Sequence, residues 1–299
     1  MAELHIVHEQ KPHLNHCSIE YIKNPNGKQG YWWDIITGCH HHETGVCQGF
    51  KCWAKKDITG RVKQFYPYGF DPTIWPDRFL LPLKIKKPSS FAVCFRGDLG
   101  GEWINPTNYD TSVTMPNGQQ LINCHLSSVL FYLMSFCPQH TFFFLTKNPS
   151  AWQKWGTWPD NAFVGATVDD WDAFHHNVNK LCFTKAKNKW LSLEPCPPPL
   201  GDKADRQLLG KILKAAGINW IVIGGYSGGK RLPPMQALID VVNIADSAGI
   251  PIWIKDNLRG YDVETMIKPL RHQFPEVLSD SCNWDDPTMM MMNNFSLNL

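Results

Sequence analysis

Seven short apolar runs, each closing on polar residues, set the tightest limit on how this chain can fold. They lie at 31–36, 90–95, 141–145, 162–168, 190–193, 220–223 and 251–254. Between them, apolar residues recur at helical spacing. Leu126, Val129, Leu130, Leu133 and Met134 predict a helix over 121–136, and residues 171–183 predict another. Leu208, Leu209, Ile212, Leu213 and Ala216 form a third such series, stopped by Gly217; Leu238, Val241, Val242, Ala245 and Ala248 form a fourth, closed by Gly249. Strands that are apolar throughout, rather than on alternate residues, suit a parallel sheet covered on both faces. Nearly every run ends in chemically capable side chains, which favours a partial or full parallel (β/α) barrel over a doubly wound sheet, because barrels collect their sites at strand ends.

Three regions follow. Residues 1–30 are polar, without a sustained period, and turn at Asn24-Pro25-Asn26-Gly27, so they read as an N-terminal extension. Residues 31–274 form the barrel domain, with an irregular, proline- and aromatic-rich insertion at 57–90 whose length points to function or a small subdomain. Residues 275–299, with the run Met289–Met292, form a C-terminal tail. A hydrophobic fraction of 43% is ample for a core. A formal charge of +2 gives no global sign of a nucleic-acid grip, although a local basic groove is compatible with it. The N-terminus lacks the basic-then-apolar order of a signal peptide, and no apolar stretch approaches a membrane span. A cytoplasmic protein, in a bacterium or a phage-infected host, is expected. In that reducing setting ten cysteines point to metal binding or chemistry rather than to disulfides.

The cysteines that matter most follow the first run. Cys39, Cys47 and Cys52 fall within fourteen residues, with Gly38, Gly45 and Gly49 between and beside them to let the loop curl. Thiolates at close spacing favour zinc or iron–sulfur over hard cations. A closed zinc site needs a fourth ligand, which one of His40, His41 or His42 could supply. A cubane cluster on three cysteines leaves one iron open. On their own, the three histidines read as a solvated loop.

At successive strand ends stand Thr146, Lys147, Asp169, Glu194 and Lys255. Each alone is an ordinary rim residue; together they predict that two or three line a cavity. Glu194 is the leading candidate for a ribose or substrate contact, and Lys255 for holding a carboxylate or phosphate. Cys196, just beyond Glu194-Pro195, is either a hydrogen-atom donor or a spare buried thiol. The loop Gly224-Gly225-Tyr226-Ser227-Gly228 lacks both the Walker and the dinucleotide spacing, so Gly225 and Ser227 are read as backbone that approaches an adenosine or a substrate.

Taken in order, the segments TGC…C…CWA, GDLGGEW, FLTKNP, FVGATVDD, LSLEP, IVIGGYSG and IPIWIKDNL resemble the radical S-adenosylmethionine (SAM)-like phage family called Gp37/Gp68 or DUF5131, over roughly residues 30–260. The resemblance implies a barrel of the radical SAM type. Cys39, Cys47 and Cys52 would hold a [4Fe–4S] cluster, and S-adenosylmethionine would bind its open iron. Reductive cleavage would then yield a 5′-deoxyadenosyl radical that abstracts hydrogen from a substrate, the protein supplying orientation and water exclusion. It also implies that Gly100, Gly101 and Glu102 meet the methionine end of the cofactor, with Asp98 either touching the cofactor or capping its own loop. An electron donor of flavodoxin or ferredoxin type follows, and the phage association points to a nucleic-acid base or a nucleotide as substrate. The cysteine spacing is wider than is usual for radical SAM enzymes, and Lys51 stands where an aromatic often precedes the third cysteine, leaving Phe50 or Trp53 to meet the adenine. The alternative reading is a zinc-stapled module that uses 57–90 to bind nucleic acid or protein without radical chemistry; a third is a hydrolytic or lyase barrel.

Overall fold

The computed structural model describes residues 4–43, 47, 51–107, 111–115, 118, 120–201, 205–226, 232–258 and 271–279, without the side chains of 111, 112, 122, 123, 277 and 279. The seven apolar runs become seven strands: β1 (Tyr31–Trp33), β2 (Ser90–Val93), β3 (Thr141–Thr146), β4 (Ala162–Thr167), β5 (Asn188–Leu193), β6 (Ile218–Ile223) and β7 (Ile252–Ile254). They pair in chain order in one sheet, every pair parallel, and the sheet curls into a half-barrel. The expected partial barrel is therefore the observed architecture.

Parallel neighbours require crossovers. These are α1 (Trp53–Thr59), α2 (Leu126–Ser135), a 3₁₀ segment at Pro149–Trp155, α3 (Trp171–Cys182), α4 (Arg206–Ala215) and α5 (Met235–Ala248). Asp170 caps α3 by accepting from the Ala173 N–H at 2.6 Å, and Gly249 ends α5 in the left-handed region, φ +66°. The helix expected over 121–136 starts later, because Gln120–Cys124 pairs with Thr111–Thr114 as a small antiparallel hairpin. The apolar series of that helix begins only at Leu126.

The two faces of the sheet carry different side chains. The helix-covered face is mixed aliphatic and aromatic, with Val93, Val164, Leu191, Ile221 and Ile252 packed against α2 to α5. The inner face is aromatic: Phe143, Phe163, Trp190, Trp220 and Trp253 fill it. Gly165 makes that filling possible, since a Cβ there would lie 2.5 Å from the Trp190 indole. The indole N–H donates to the carbonyls of Phe144 at 3.1 Å and Phe163 at 3.2 Å, which satisfies a polar atom in an otherwise dry layer.

Residues 4–30 are built into this body. His5–Ile6 pairs with Thr73–Ile74, which pairs in turn with Ile36–Thr37. Cys17, Tyr21 and Ile22 pack into the aromatic inner face, with Tyr21 edge-on to Trp190 and Trp220 at 5.7 Å each. The short 3₁₀ turns and the strand Thr73–Ile74 account for the irregular stretch 57–90.

One titratable group is locked beneath the sheet. His140 is 1% exposed; its Nδ1 accepts from the Ser89 N–H at 3.2 Å, while Nε2 lies 2.9 Å from the Ile85 carbonyl. Both contacts require the neutral Nε2–H tautomer, and burial pushes its pKa down to about 4. The folded chain thus binds fewer protons than the unfolded one between that value and the ordinary 6.5, so stability rises with pH through this window. The contribution, about 3 kcal/mol, is complete above about pH 6.5 and lost as pH falls towards 4. Urea unfolding at pH 7.5, 5.5 and 4.5 should show this loss, and His140→Gln should flatten that part of the profile; an unchanged slope in the variant would assign the acid sensitivity elsewhere.

Candidate functional site

All seven strands end on one rim, and the inner face opens there into a cavity of about 470 Å³. Its floor is apolar, with Trp32, Phe95, Leu145 and the Tyr21 ring. Its polar groups come from five strand ends and from the N-terminal segment. Cys47, Cys52 and Trp53 close one side; Lys147, Thr167, Glu194, Lys255 and Tyr226 close the other.

The cysteine loop is anchored from several directions. Cys39 donates its N–H to the Phe70 carbonyl at 3.0 Å, and the Cys47 N–H donates to the His41 carbonyl at 3.0 Å. The Cys52 thiol caps α1, accepting from the Lys55 N–H at 3.5 Å. Burial raises the pKa of Cys39, and the Asp98 carboxylate and the other two sulfurs raise it further. Burial also raises Cys47, against a smaller lowering by the Lys147 ammonium. The three thiols therefore share one neighbourhood, in which the Cys52 sulfur disfavours the ionised forms of Cys39 and Cys47. As their side chains stand, no three His, Cys, Asp or Glu groups among the described residues are at metal-binding distance. The chemistry of the donor set nevertheless fits a thiophilic cation group, since a bound cation offsets the repulsion that three gathered thiolates would feel.

The histidines are not a solvated loop. His41 is 2% exposed, with its Nε2 2.8 Å from Asp98 Oδ2. His42 Nε2 lies 2.7 Å from Lys55 Nζ, and the His40 ring stands edge-on to Trp103 at 5.3 Å. The signal available in the sequence was the acid in Gly97-Asp98-Leu99, which gives a buried imidazole its partner. That acid is also spoken for: Asp98 Oδ1 accepts from the Gly100 N–H at 2.7 Å and Oδ2 from the Lys147 N–H at 3.3 Å. Asp98 thus caps its own loop and holds the histidine that positions Cys47.

Gly100 and Gly101 have an internal explanation as well. A side chain at Gly100 would collide with Thr146, and one at Gly101 with the Trp103 ring. The space their missing side chains leave is filled by Thr146 and Trp103. Thr146 is buried behind that contact, accepting from the Asn148 N–H at 2.9 Å, and does not line the cavity. Glu102 is exposed and also lies off it.

The strand-end residues Glu194 and Lys255 come together at the mouth. Their charged groups form an ion pair, the other Glu194 oxygen accepts from the Ser192 hydroxyl at 2.8 Å, and both residues line the cavity. Gly224 makes room for them, since a Cβ there would lie 2.6 Å from Glu194 Oε1 and 2.9 Å from Lys255 Cδ. Lys147 also lines it and pairs with Asp169 at 2.7 Å, while Asp169 itself faces a side cavity of about 370 Å³ beside α3. Gly225 is held by Asn257, its N–H donating to Oδ1 at 3.0 Å; Ser227 lies outside the described residues. Cys196 lies off the mouth cavity. It is 6% exposed in the core on the helix side, its Sγ 3.5 Å from the Pro197 carbonyl, and burial raises its pKa to about 12.

Sequence reasoning missed Glu20 and Tyr21, which reach the cavity from a segment with no periodicity to mark it. Glu20 accepts the Asp256 N–H at 3.0 Å, tying the N-terminal segment to the end of β7, and burial raises its pKa. It also missed Arg96. Its guanidinium pairs with Asp34 at 3.1 Å and Asp57 at 2.9 Å and lies over Trp32 at 4.4 Å, joining the ends of β1 and β2 to α1.

A family model matches residues 18–273 and is described as a protein of unknown function, DUF5131. The chain belongs to the DUF5131 family. No curated protein and no solved structure matches it. The matched span takes in all seven strands, the cysteine loop and the Glu20–Tyr21 segment, so the mouth cavity as a whole lies within the family's shared region. No helix among the described residues is long and apolar enough to cross a membrane.

Removing Arg96 should separate structure from site. Arg96→Ala leaves Asp34, 5% exposed at its side chain, without its cation, and should cost about 3 kcal/mol in urea unfolding. Arg96→Lys should recover little, because one ammonium cannot span both carboxylates while stacking on Trp32. Faster alkylation of Cys52 in the variants, at urea concentrations where they stay folded, would show that α1 has loosened; wild-type rates would refute the positioning role.

Proposed function

We propose that this DUF5131 protein is a radical S-adenosylmethionine enzyme in which Cys39, Cys47 and Cys52 hold a [4Fe–4S] cluster at the half-barrel mouth. The observation that carries the reading is the placement of three free thiols at the C-terminal ends of a parallel sheet, with two of them on the wall of a 470 Å³ cavity. When bound, the cluster and S-adenosylmethionine supply one-electron chemistry that ends in hydrogen abstraction, with an external donor of flavodoxin or ferredoxin type.

The chain's own residues have distinct parts in this reading. Cys39 and Cys47, whose pKa values burial raises, release their protons as they take up iron, so loading improves with rising pH. Trp53, 40% exposed on the cavity wall, takes the adenine-facing place left by Lys51. The Glu194–Lys255 pair orients polar groups of cofactor or substrate, and Lys147 does so across the mouth. Trp32, Phe95 and Leu145 keep water from the floor, where a reactive species needs protection. The expected substrate is a nucleic-acid base or a nucleotide.

Anaerobic reconstitution with iron and sulfide should give a brown protein with about four irons per chain. Long incubation with S-adenosylmethionine and dithionite should yield 5′-deoxyadenosine and methionine. Cys47→Ala should abolish both the stable cluster and the products. A colourless, zinc-loaded protein, or a full cluster that yields no 5′-deoxyadenosine, would overturn the proposal.

A further inference from the structure

A second cavity of about 450 Å³ lies beyond β1 and shares Ser18 and Trp32 with the mouth cavity. The ridge between the two is α1 and the turn that follows it. Lys51 and Trp53 stand at its mouth end, and Arg61 and Phe65 line the second cavity at its far end. Along residues 51–68 there are five basic residues, Lys51, Lys55, Lys56, Arg61 and Lys63, against the single acid Asp57. That acid pairs with Arg96 at 2.9 Å and lies 4.0 Å from the Arg61 guanidinium. The outward side chains mix cations and rings: Lys51, Trp53, Lys56, Arg61, Lys63, Phe65 and Tyr68 are all exposed.

Exposed rings are costly on a surface that has nothing to meet them. Phe65 is 63% exposed and Trp53 40%, each two residues from a lysine, while Tyr68, 45% exposed, has the His5 ring stacked on one face at 3.8 Å. Set among cations of which Arg61 alone reaches the acid, at 4.0 Å, they match a single-stranded polyanion, whose phosphates need positive charge and whose unstacked bases need flat apolar faces. An acidic peptide would use the cations and leave the rings idle. A duplex would hide its bases from them.

We propose that the ridge from Phe65 to Lys51 is a track for single-stranded nucleic acid, which runs from the second cavity over α1 and delivers one nucleotide to the mouth. This names the substrate class of the proposed reaction and rests on that reading only for what happens at the mouth; binding to the ridge needs no cofactor.

The test is fluorescence anisotropy of the full chain with a labelled ten-nucleotide single strand of mixed sequence, in low and rising salt. Binding should weaken linearly in log–log form with salt. Phe65→Ala should weaken it roughly 5-fold or more through lost stacking. Arg61→Ala with Lys63→Ala should weaken it and flatten the salt slope by about 1.4, for two phosphates released. All three positions are exposed, so the variants should unfold in urea like wild type. No salt-dependent binding at micromolar protein would overturn the proposal. So would variants that bind as wild type, or equal competition by a polyglutamate peptide, which would assign the ridge to an acidic protein partner. Oligonucleotide binding without 5′-deoxyadenosine formation would leave the track standing and remove the radical chemistry; 5′-deoxyadenosine formation without oligonucleotide binding would do the reverse.

Discussion

Parallel pairing makes each strand leave the sheet at one rim and re-enter at the other, so every crossover must travel the length of the sheet. From that constraint come the helices on one face, and on the same rim the ends of all seven strands. Among the described residues no crossover helix lies on the other face, which is covered by its own side chains together with Cys17, Tyr21, Ile22, Phe274 and Leu278. Phe143, Phe163, Trp190, Trp220 and Trp253 are large enough to fill the concave side up to the level of Leu145 and Phe95. Above that level the side chains become polar and the cavity begins. The site is the place where the aromatic filling stops.

The rim needs more than direction to be ordered, because loops that leave strands carry unpaired backbone groups. Two side-chain junctions tie these loops down. Asp98 joins the end of β2 to His41 and to the Lys147 amide, and Arg96 joins β1, β2 and α1. Cys94 makes the bend between them possible: it sits in the left-handed region at φ +57°, while its sulfur accepts the Ile36 N–H at 3.3 Å. A non-glycine residue in that region costs on the order of 1 kcal/mol, and the strain lies where the chain turns towards the cysteine loop.

Much of this was legible in the sequence. Strands that are apolar throughout announce burial on both faces, and polar residues at their ends announce a rim, so the half-barrel could be anticipated, though not that Glu194 and Lys255 pair at its mouth. What was not legible depends on contacts distant in the chain. Nothing near Tyr21 marks it as a plug for Trp190 and Trp220, and nothing near His41 marks it as buried except an aspartate fifty-seven residues away. Gly100 and Gly101 are ambiguous for the same reason. A glycine-rich loop signals close approach, but not whether the approaching group is a ligand or the protein's own Thr146 and Trp103. Cys196 shows the limit of proximity in sequence, since two residues beyond Glu194 the chain has already crossed to the other face of the sheet.

The distribution of charge separates the two ends of the proposed path. At the mouth the charges come matched, Glu194 with Lys255 and Lys147 with Asp169. A ligand of one sign gains little there, because it must compete with a carboxylate or an ammonium already in place. A ligand that carries both signs close together, as the amino-acid end of S-adenosylmethionine does, can exchange partners with such pairs without leaving a charge stranded. Along α1 and the turn beyond it the cations outnumber the acids, and the one acid present is shared between Arg96 and Arg61. Attraction there acts at longer range and falls with salt. On this proposal the near-neutral total of +2 conceals a division of labour, with the ridge to gather a polyanion and the matched rim to sort what reaches the thiols.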